Sequence, residues 1–428
     1  MPLGDNNLIS ILLITHEYPI KRGDASFIES EMPYLAKAFD TVHVLCLGRC
    51  GVGDALLTVP KNVHVSFMDW KYSGIKKCVS LLAVAFSLVF YKELGFLIKE
   101  KRLSIGTLRS IIGFLLRAII LQKPIKRIVQ SNKNICLIYT YWYVQETLGA
   151  LLLKKRLGNI VCITRAHGYD VHEFQNRANY LPYKIWMDGK IDRIFFACHY
   201  LRDYYLCKFA RHDMNKYTTM HLGIQNKVFE KNTDNNKNLG IFIICSCSYV
   251  ILRKRVDLII KSLGEIEDAR IHWIHIGDGS LEKDIKSLAD DILGDKPNIS
   301  YEFKGYMTSE QIMRFYNKNN IDCFISTTEA EGGCPVSISE AISFGIPVIA
   351  TAVGGVPEIV KENFGVLLDS SGDISEISNA IVGLCKLPME RMMAMRLSAR
   401  SFWENNFNAE INHAKFAEEL LALVVGSS

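Results

Sequence analysis

The sequence predicts an α/β protein made of two parallel, doubly wound sheets, on three observations. Short β-branched runs alternate with helical stretches along the whole chain. Several of those runs are continuously apolar, as strands buried on both faces must be. One polar, Asn-rich segment without apolar period, Gln225–Gly240 (QNKVFEKNTDNNKNLG), divides the runs into two series and reads as a linker.

The first series is Leu8–Ile14, Val42–Leu47, Val63–Met68, Cys136–Thr140, Ile160–Thr164 and Arg193–Ala197. The second is Ile241–Cys247, Ile271–Ile276, Ile299–Phe303, Asp322–Ser326 and Pro347–Ala350. Alternation with helices implies βαβ units and Rossmann-like sheets. The expected organisation is an N-terminal domain over 1–224, a linker over 225–240, a C-terminal domain over 241–404, and a terminal helix over 405–428 packing back toward the N-terminal domain. Ligands of such sheets bind at the carboxyl ends of the strands, so a deep cleft faced by the two domains is the expected site.

Composition narrows the classes. The chain has 428 residues, 49% hydrophobic and 22% charged, with 29 Gly and 11 Pro, which excludes collagen-like, low-complexity and disordered proteins. A net charge of +5 is too small to argue for nucleic acid. It is unevenly placed: 71–127 holds twelve Lys/Arg against Glu93 and Glu100, so this stretch is +10 and the remainder about −5. Twelve cysteines lie scattered in apolar runs without a CxxC pair, the usage of free thiols in a reducing cytoplasm. MPLGDNN enters the first strand without a basic n-region, so no secretion signal is expected. The longest apolar run, Cys78–Tyr91, has fourteen residues where a spanning helix needs about 20. It reads as a buried or interfacial helix.

The chemistry concentrates in Ile321–Val360, IDCFISTTEAEGGCPVSISEAISFGIPVIATAVGGVPEIV. A strand ending near Ser326 leads into a loop with Glu329, Glu331, Gly332, Gly333, Cys334 and Pro335. A helix over Val336–Phe344 then carries Glu340, with Gly345 as its C′ residue. After the next strand, Gly354-Gly355 turns into a helix whose first turn holds Pro357 and Glu358. These are two strand–glycine loop–helix units in tandem. Such loops let backbone N–H groups approach an anion at a helix N-terminus, and an acid further in can accept hydrogen bonds from ribose hydroxyls.

This string resembles the nucleotide-sugar signature of retaining GT-B glycosyltransferases of family four, whose hallmark is Glu-x7-Glu in the form EG-x-P-x4-E-A followed by G-x-PV and GG-x-PE. Here eight residues separate Glu331 from Glu340, which leaves Glu329 as an alternative to Glu331 for the first glutamate. The resemblance implies that Glu340 binds the donor ribose and that Glu331 lies near the donor sugar. IHIGDGS (274–280) is similar to the family's strand and Gly-Asp-Gly turn, bringing in Gly277. Phe303–Tyr306 is similar to the strand end that contacts the base, bringing in Gly305 and Tyr306. SCSYVILRKRVDL (246–258) is similar to the segment where the family places an Arg and a Lys on the diphosphate. Lys254 matches the Lys, Tyr249 occupies the Arg position, and Arg253 or Arg255 is left to compensate.

In the N-terminal half, the first strand runs into a loop with Gly23 and a helical stretch with Phe27, Ile28, Met32 and Leu35 on one face, where Pro33 marks a kink or a fresh start. The loop resembles the family's first glycine loop, over the donor diphosphate. TYWY (140–143) and TRAHGYD (164–170) end strands with polar and aromatic residues, placing Tyr141, Trp142, Arg165 and Asp170 on the acceptor side. His167 matches the family's HGYD segment, which implies a hydrogen-bonding group near donor sugar and acceptor.

The expectation is therefore a GT-B sugar transferase moving a glycosyl unit from a nucleoside diphosphate sugar to a carbohydrate or polyisoprenoid-linked acceptor with retention, as in bacterial polysaccharide synthesis. His167, Lys254 and Glu331 are its catalytic set, and Gly332, Gly333, Cys334 and Pro335 its donor loop. No DxD occurs and no metal or other cofactor is expected. Arg102, Arg109 and Arg117 on one side of a helix, among Leu103, Ile111, Leu115 and Ile119, imply peripheral attachment to an anionic inner membrane face. The rival readings are a degraded GT-B protein serving as a membrane-bound assembly subunit, and an epimerase or hydrolase on the same fold.

Overall fold

The computed structural model describes residues 8–68, 74–176, 178–211, 213–226 and 240–426, with backbone only for 74–79. The chain divides into two compact units. One runs from the N-terminus through Leu222 and includes the residues from Glu410 onward, and the other is Gly223–Ala409. Of the segment expected as a linker, 225–240, only residues 225, 226 and 240 are described; the rest lies outside.

The first unit holds β1 (Ser10–Thr15), β2 (Thr41–Cys46), β3 (Val63–Phe67), β4 (Ile135–Thr140), β5 (Val161–Ala166), β6 (Arg193–Phe196) and β7 (Tyr217–Thr219), all parallel, in the order β3-β2-β1-β4-β5-β6-β7. The second holds β8 (Phe242–Cys247), β9 (Ile271–Ile276), β10 (Ile299–Gly305), β11 (Cys323–Ser326), β12 (Val348–Thr351) and β13 (Gly365–Leu368), also parallel, in the order β10-β9-β8-β11-β12-β13. All eleven runs read from sequence are strands. The two that sequence reading missed are β7, whose three residues are too few to display a period, and the four-residue β13, which opens on Gly365. They sit at sheet edges, where β6 and β12 supply their hydrogen-bond partners.

In each sheet the order reverses in the middle, between β1 and β4 and between β8 and β11. The chain leaves those neighbouring strands in opposite directions, which opens a crevice beyond their carboxyl ends. His16 and Trp142 follow β1 and β4, while Ser248–Lys254 and Thr327–Pro335 follow β8 and β11.

Pro33 neither ends nor restarts its helix, which is continuous over Ala25–Ala38. Pro33 lies on the exposed face, where water can take the carbonyl its ring leaves unbonded. The apolar run Cys78–Tyr91 is not one helix: Gly74–Ala85 and Leu88–Lys99 meet at Phe86-Ser87. Arg102 does not share a helix with Arg109 and Arg117. It precedes Ser104, the N-cap of the helix Ile105–Ser131, and is tied to Glu173 (2.8 Å) and the Asn179 carbonyl (2.5 Å). Ile105–Ser131 is long and apolar enough to cross a membrane by length and composition. One of its faces, with Ile111, Leu115, Ala118, Leu121 and Ile125, is buried. It packs on the helix Gln145–Leu157, where Gly149 comes so close that a Cβ would lie 2.9 Å from the Ala118 carbonyl oxygen.

The C-terminal helix Ala409–Val425 completes the first core, with Phe416, Ala417 and Leu420 buried among Ile28, Leu35, Tyr139 and Phe195. Arg165 is what it covers. Placed on the acceptor side by sequence reading, Arg165 is instead fully buried, paired with Glu31 (2.6 Å) and capped by the Phe416 ring at 4.1 Å. A guanidinium on a strand interior needs a counter-charge once water is excluded, and Glu31 on Ala25–Ala38 supplies it. Removing one partner leaves an uncompensated buried charge. Glu31→Ala is expected to destabilise the first unit by about 3–5 kcal/mol, read as a lower urea midpoint with the slope retained.

Candidate active site

In the second unit, the crevice of the reversed order gathers the predicted donor residues. A short 3₁₀ turn, Leu252–Lys254, follows β8 and carries Lys254 to Glu331, and the two side chains form a close ion pair with little exposure. Glu329 is exposed and its backbone N–H goes to the Arg253 carbonyl, so Glu331, not Glu329, faces Lys254. Arg253 is held at the rim, donating to the Ala330 carbonyl (2.9 Å). Arg255 donates to the carbonyls of Thr327, Thr328, Ser370 and Ser371, and so fastens the two loops together instead of facing a ligand. Tyr249, at the position of the absent arginine, is 62% exposed.

The two glycine loops are pressed backbone to backbone. A Cβ on Gly354, whose φ is +55°, would lie 2.0 Å from the Glu331 carbonyl oxygen, and one on Gly355 would lie 2.7 Å from Gly333. The Cys334 thiol donates to the Gly355 carbonyl (3.5 Å). Pro335 then caps Val336–Ser343, and Gly345 (φ +67°) ends it as expected. Gly277 has the same crowded origin, since a Cβ there would meet the Ser248 carbonyl oxygen at 1.9 Å. Its N–H bonds the carbonyl of Gly305, which is followed by the 63% exposed Tyr306.

Glu340 sits four residues into that helix, 4% exposed, and accepts a hydrogen bond from the Ser309 hydroxyl (2.6 Å). Burial pushes its carboxyl up to about 7, with the Ser309 hydrogen bond opposing the rise. Ser309, at the start of the helix Ser309–Lys318, is a residue sequence reading missed; its Thr308-Ser309 capping pattern marks a helix start but not a partner for Glu340.

The first unit has its own cluster at the β1/β4 reversal. Trp142 is half-buried, 4.6 Å from the His167 ring and 4.9 Å from Tyr169, with Tyr141 stacked on His167 at 4.7 Å. His167 Nε2 lies 3.0 Å from the Tyr141 carbonyl and must carry the proton there; burial pushes its pKa down to about 4. Tyr141 and Asp170 are buried, so they position the cluster. Asp170 accepts from the backbone N–H groups of Tyr143, His167 and Gly168. Three further residues went unrecognised in the sequence: His16, Asp24 and Glu146. The Asp24 carboxylate accepts from the N–H groups of His16 and Glu17 and from Trp142 Nε1 (2.8–3.0 Å), locking the Gly23 loop (φ +56°) to the cluster. An Asp between Gly23 and a helix was the one visible signal.

A carboxyl with a raised pKa withholds stability as it ionises. Below the ordinary pKa near 4.5 Glu340 is protonated in both folded and unfolded chains and contributes nothing. The penalty grows as pH rises from there through about 7 and is complete above it. Glu340→Gln is therefore expected to stabilise the ligand-free second unit by up to roughly 3 kcal/mol at pH 8 and by nothing at pH 4, measured by denaturant unfolding at both.

Comparison with known proteins agrees with this reading of the second unit. Residues 228–402 match the family model for glycosyl transferases group 1. An amylovoran biosynthesis glycosyltransferase of Erwinia amylovora is 30% identical over 149 residues, 34% of this chain and 35% of that protein, so the match spans about a third of the relative's length. A GDP-mannose-dependent monoacylated α-(1-6)-phosphatidylinositol monomannoside mannosyltransferase of Corynebacterium glutamicum is 26% identical over 274 residues, 60% of this chain and 69% of that one. Among solved structures, Anabaena HepE in complex with UDP and glucose superposes with a TM-score of 0.62 at 16% identity, covering 96% of this chain and 99% of that one, a likeness of fold. With its two parallel, doubly wound units the chain has the GT-B fold, and its residues 228–402, seated at the strand reversal of the second unit, are similar to the glycosyl transferases group 1 family.

Proposed function

We propose that this chain transfers a glycosyl unit from a nucleoside diphosphate sugar to a carbohydrate or lipid-linked oligosaccharide acceptor, with retention of anomeric configuration, in polysaccharide synthesis. The observation that carries the reading is the convergence of Lys254, Glu331 and Glu340 at one strand reversal, inside the segment that matches the family. Glu340 takes the ribose hydroxyls. Lys254 and the backbone N–H groups opening Val336–Ser343 take the diphosphate, whose charge grows as the bond from the anomeric carbon to the phosphate oxygen breaks. Glu331 holds the Lys254 ammonium, so a donor phosphate must share or displace that partner. His167 and Trp142 serve the acceptor. Catalysis is electrostatic and needs no metal, since Lys254 and the helix terminus supply the positive charge.

Attachment to an anionic membrane on the cytoplasmic side belongs to the same reading. Leu81, Leu82, Leu88, Tyr91 and Ile98 on the two helices that precede Ile105–Ser131, and Phe86 between them, are exposed, with Lys92 and Lys99 beside them. An apolar face flanked by lysines suits an anionic interface, each basic residue adding about 1 kcal/mol. The mannosyltransferase relative is named for an acylated phosphatidylinositol mannoside, a lipid.

Two measurements test this reading. Lys254→Ala is expected to lower kcat by more than it weakens UDP or GDP binding, with wild-type activity unchanged in EDTA. A rise in KM alone, or activity lost in EDTA and restored by Mg²⁺, goes against it. In flotation, the protein is expected to rise with anionic but not neutral liposomes and to be released at 1 M salt, where the Debye length is about 3 Å.

A further inference from the structure

The cluster at the β1/β4 reversal contains a pair that the reading above leaves without a task. His16 Nε2 lies 2.6 Å from Glu146 Oε1. The Glu146 side chain is fully buried, at the first turn of Gln145–Leu157, whereas His16 is 32% exposed. Its ring is stacked on Trp142 (5.9 Å, 22°), and its own backbone N–H is held by Asp24. The imidazole is thus fixed in orientation, with one nitrogen spent on the carboxylate. The other nitrogen, Nδ1, has no hydrogen-bond partner among the described residues. Burying a carboxylate to orient a half-exposed ring is costly to folding, and such local costs collect at functional positions.

We propose that His16, oriented by Glu146, is a positioning residue that accepts a hydrogen bond at Nδ1 from a hydroxyl of a saccharide whose ring packs on Trp142 and Tyr169. The proposal rests on the acceptor-side reading of this cluster. With Nε2–H donated to Glu146, the neutral ring presents a lone pair at Nδ1. The surroundings select a neutral hydroxyl and not a phosphate. The charged groups facing His16 are the acids Glu146, Asp24 and Glu17. Arg22, the nearby cation, is spent on Glu17 (2.8 Å) and Asp54 (3.5 Å). The Cys46 thiol donates to the His16 carbonyl and stays neutral, pushed up to about 12 by burial. Tyr169, 38% exposed beside Trp142, extends the aromatic face on which the C–H side of a sugar ring can lie.

The pH dependence follows with a definite sign. Burial alone would lower the His16 pKa, but Glu146, Asp24 and Glu17 hold it above the ordinary 6.5. The neutral, accepting form therefore accumulates only as pH rises past that value.

The experiment uses the full chain, with the methyl glycosides of glucose, galactose and mannose as probes followed by tryptophan fluorescence, and UDP and GDP binding followed by calorimetry. At least one glycoside is expected to bind saturably and at least fivefold more tightly at pH 8.5 than at pH 6. His16→Ala and His16→Gln are expected to weaken it tenfold or more and to flatten the pH profile. Glu146→Gln is expected to move the midpoint of that profile downward. Nucleotide affinity should be unchanged in all three, which shows that the second unit is intact. Glycoside binding that persists unchanged in both His16 variants, a profile that none of the substitutions moves, or no binding of any of the three probes overturns the proposal. Failure of wild-type protein to bind UDP or GDP sinks the donor reading instead, and the glycoside arm is scored separately.

Discussion

The reversal of strand order in the middle of each parallel sheet is the constraint on which the remaining structure depends. Parallel strands joined by right-handed crossovers put every loop that leaves a strand on the same edge of the sheet. Where successive crossovers part, as between β1 and β4 and between β8 and β11, two loops diverge and leave their backbone groups without a third neighbour. Those groups must find side-chain partners, and here carboxylates supply them. Asp24 and Asp170 bind five backbone N–H groups at and beside the first reversal, those of His16 and Glu17 after β1, Tyr143 after β4, and His167 and Gly168 after β5. At the second, Arg255, after β8, donates to the carbonyls of Thr327 and Thr328 after β11 and of Ser370 and Ser371 after β13.

That scaffold explains which charged residues are left for chemistry. Arg165, Asp170 and Arg255 stand in functional-looking segments, but Arg165 is buried against Glu31, and Asp170 and Arg255 are spent on backbone hydrogen bonds, which makes them part of the frame. Lys254, Glu331 and Glu340 are different, because each is held by a single side-chain partner that a ligand can displace or share. The glycines follow the same division. Gly354 and Gly355 are needed because the two loops meet backbone to backbone, beside Glu331 and Gly333.

The first unit uses a second device, the burial of an acid behind a histidine. Glu31 pairs with Arg165, and the nearby His413 of the C-terminal helix, 3.7 Å away, is kept neutral by burial and hydrogen-bonds Ser30 at 3.0 Å. Glu146 lies at the β1/β4 reversal, where the histidine it orients is hydrogen-bonded to it and remains partly exposed, whereas His413 is buried.

Much of this was legible in the sequence. Eleven of the thirteen described strands, the two-unit organisation and the Glu331–Glu340 string follow from local apolar period and from glycine, proline and acid at fixed spacing, which are properties of neighbouring residues. What tertiary structure alone decided involves partners distant in the chain. Arg165 looked available because Glu31 and Phe416, which enclose it, lie 134 and 251 residues away. His16 looked like an ordinary loop residue because Glu146 reaches it from another crossover. The choice of Glu331 over Glu329 depended on which of the two turns toward Lys254 across the β8/β11 reversal. Spacing specifies the elements and the turns between them, whereas the state of a charged group depends on what the fold places within about 4 Å of it, where burial and a counter-charge have their largest effect.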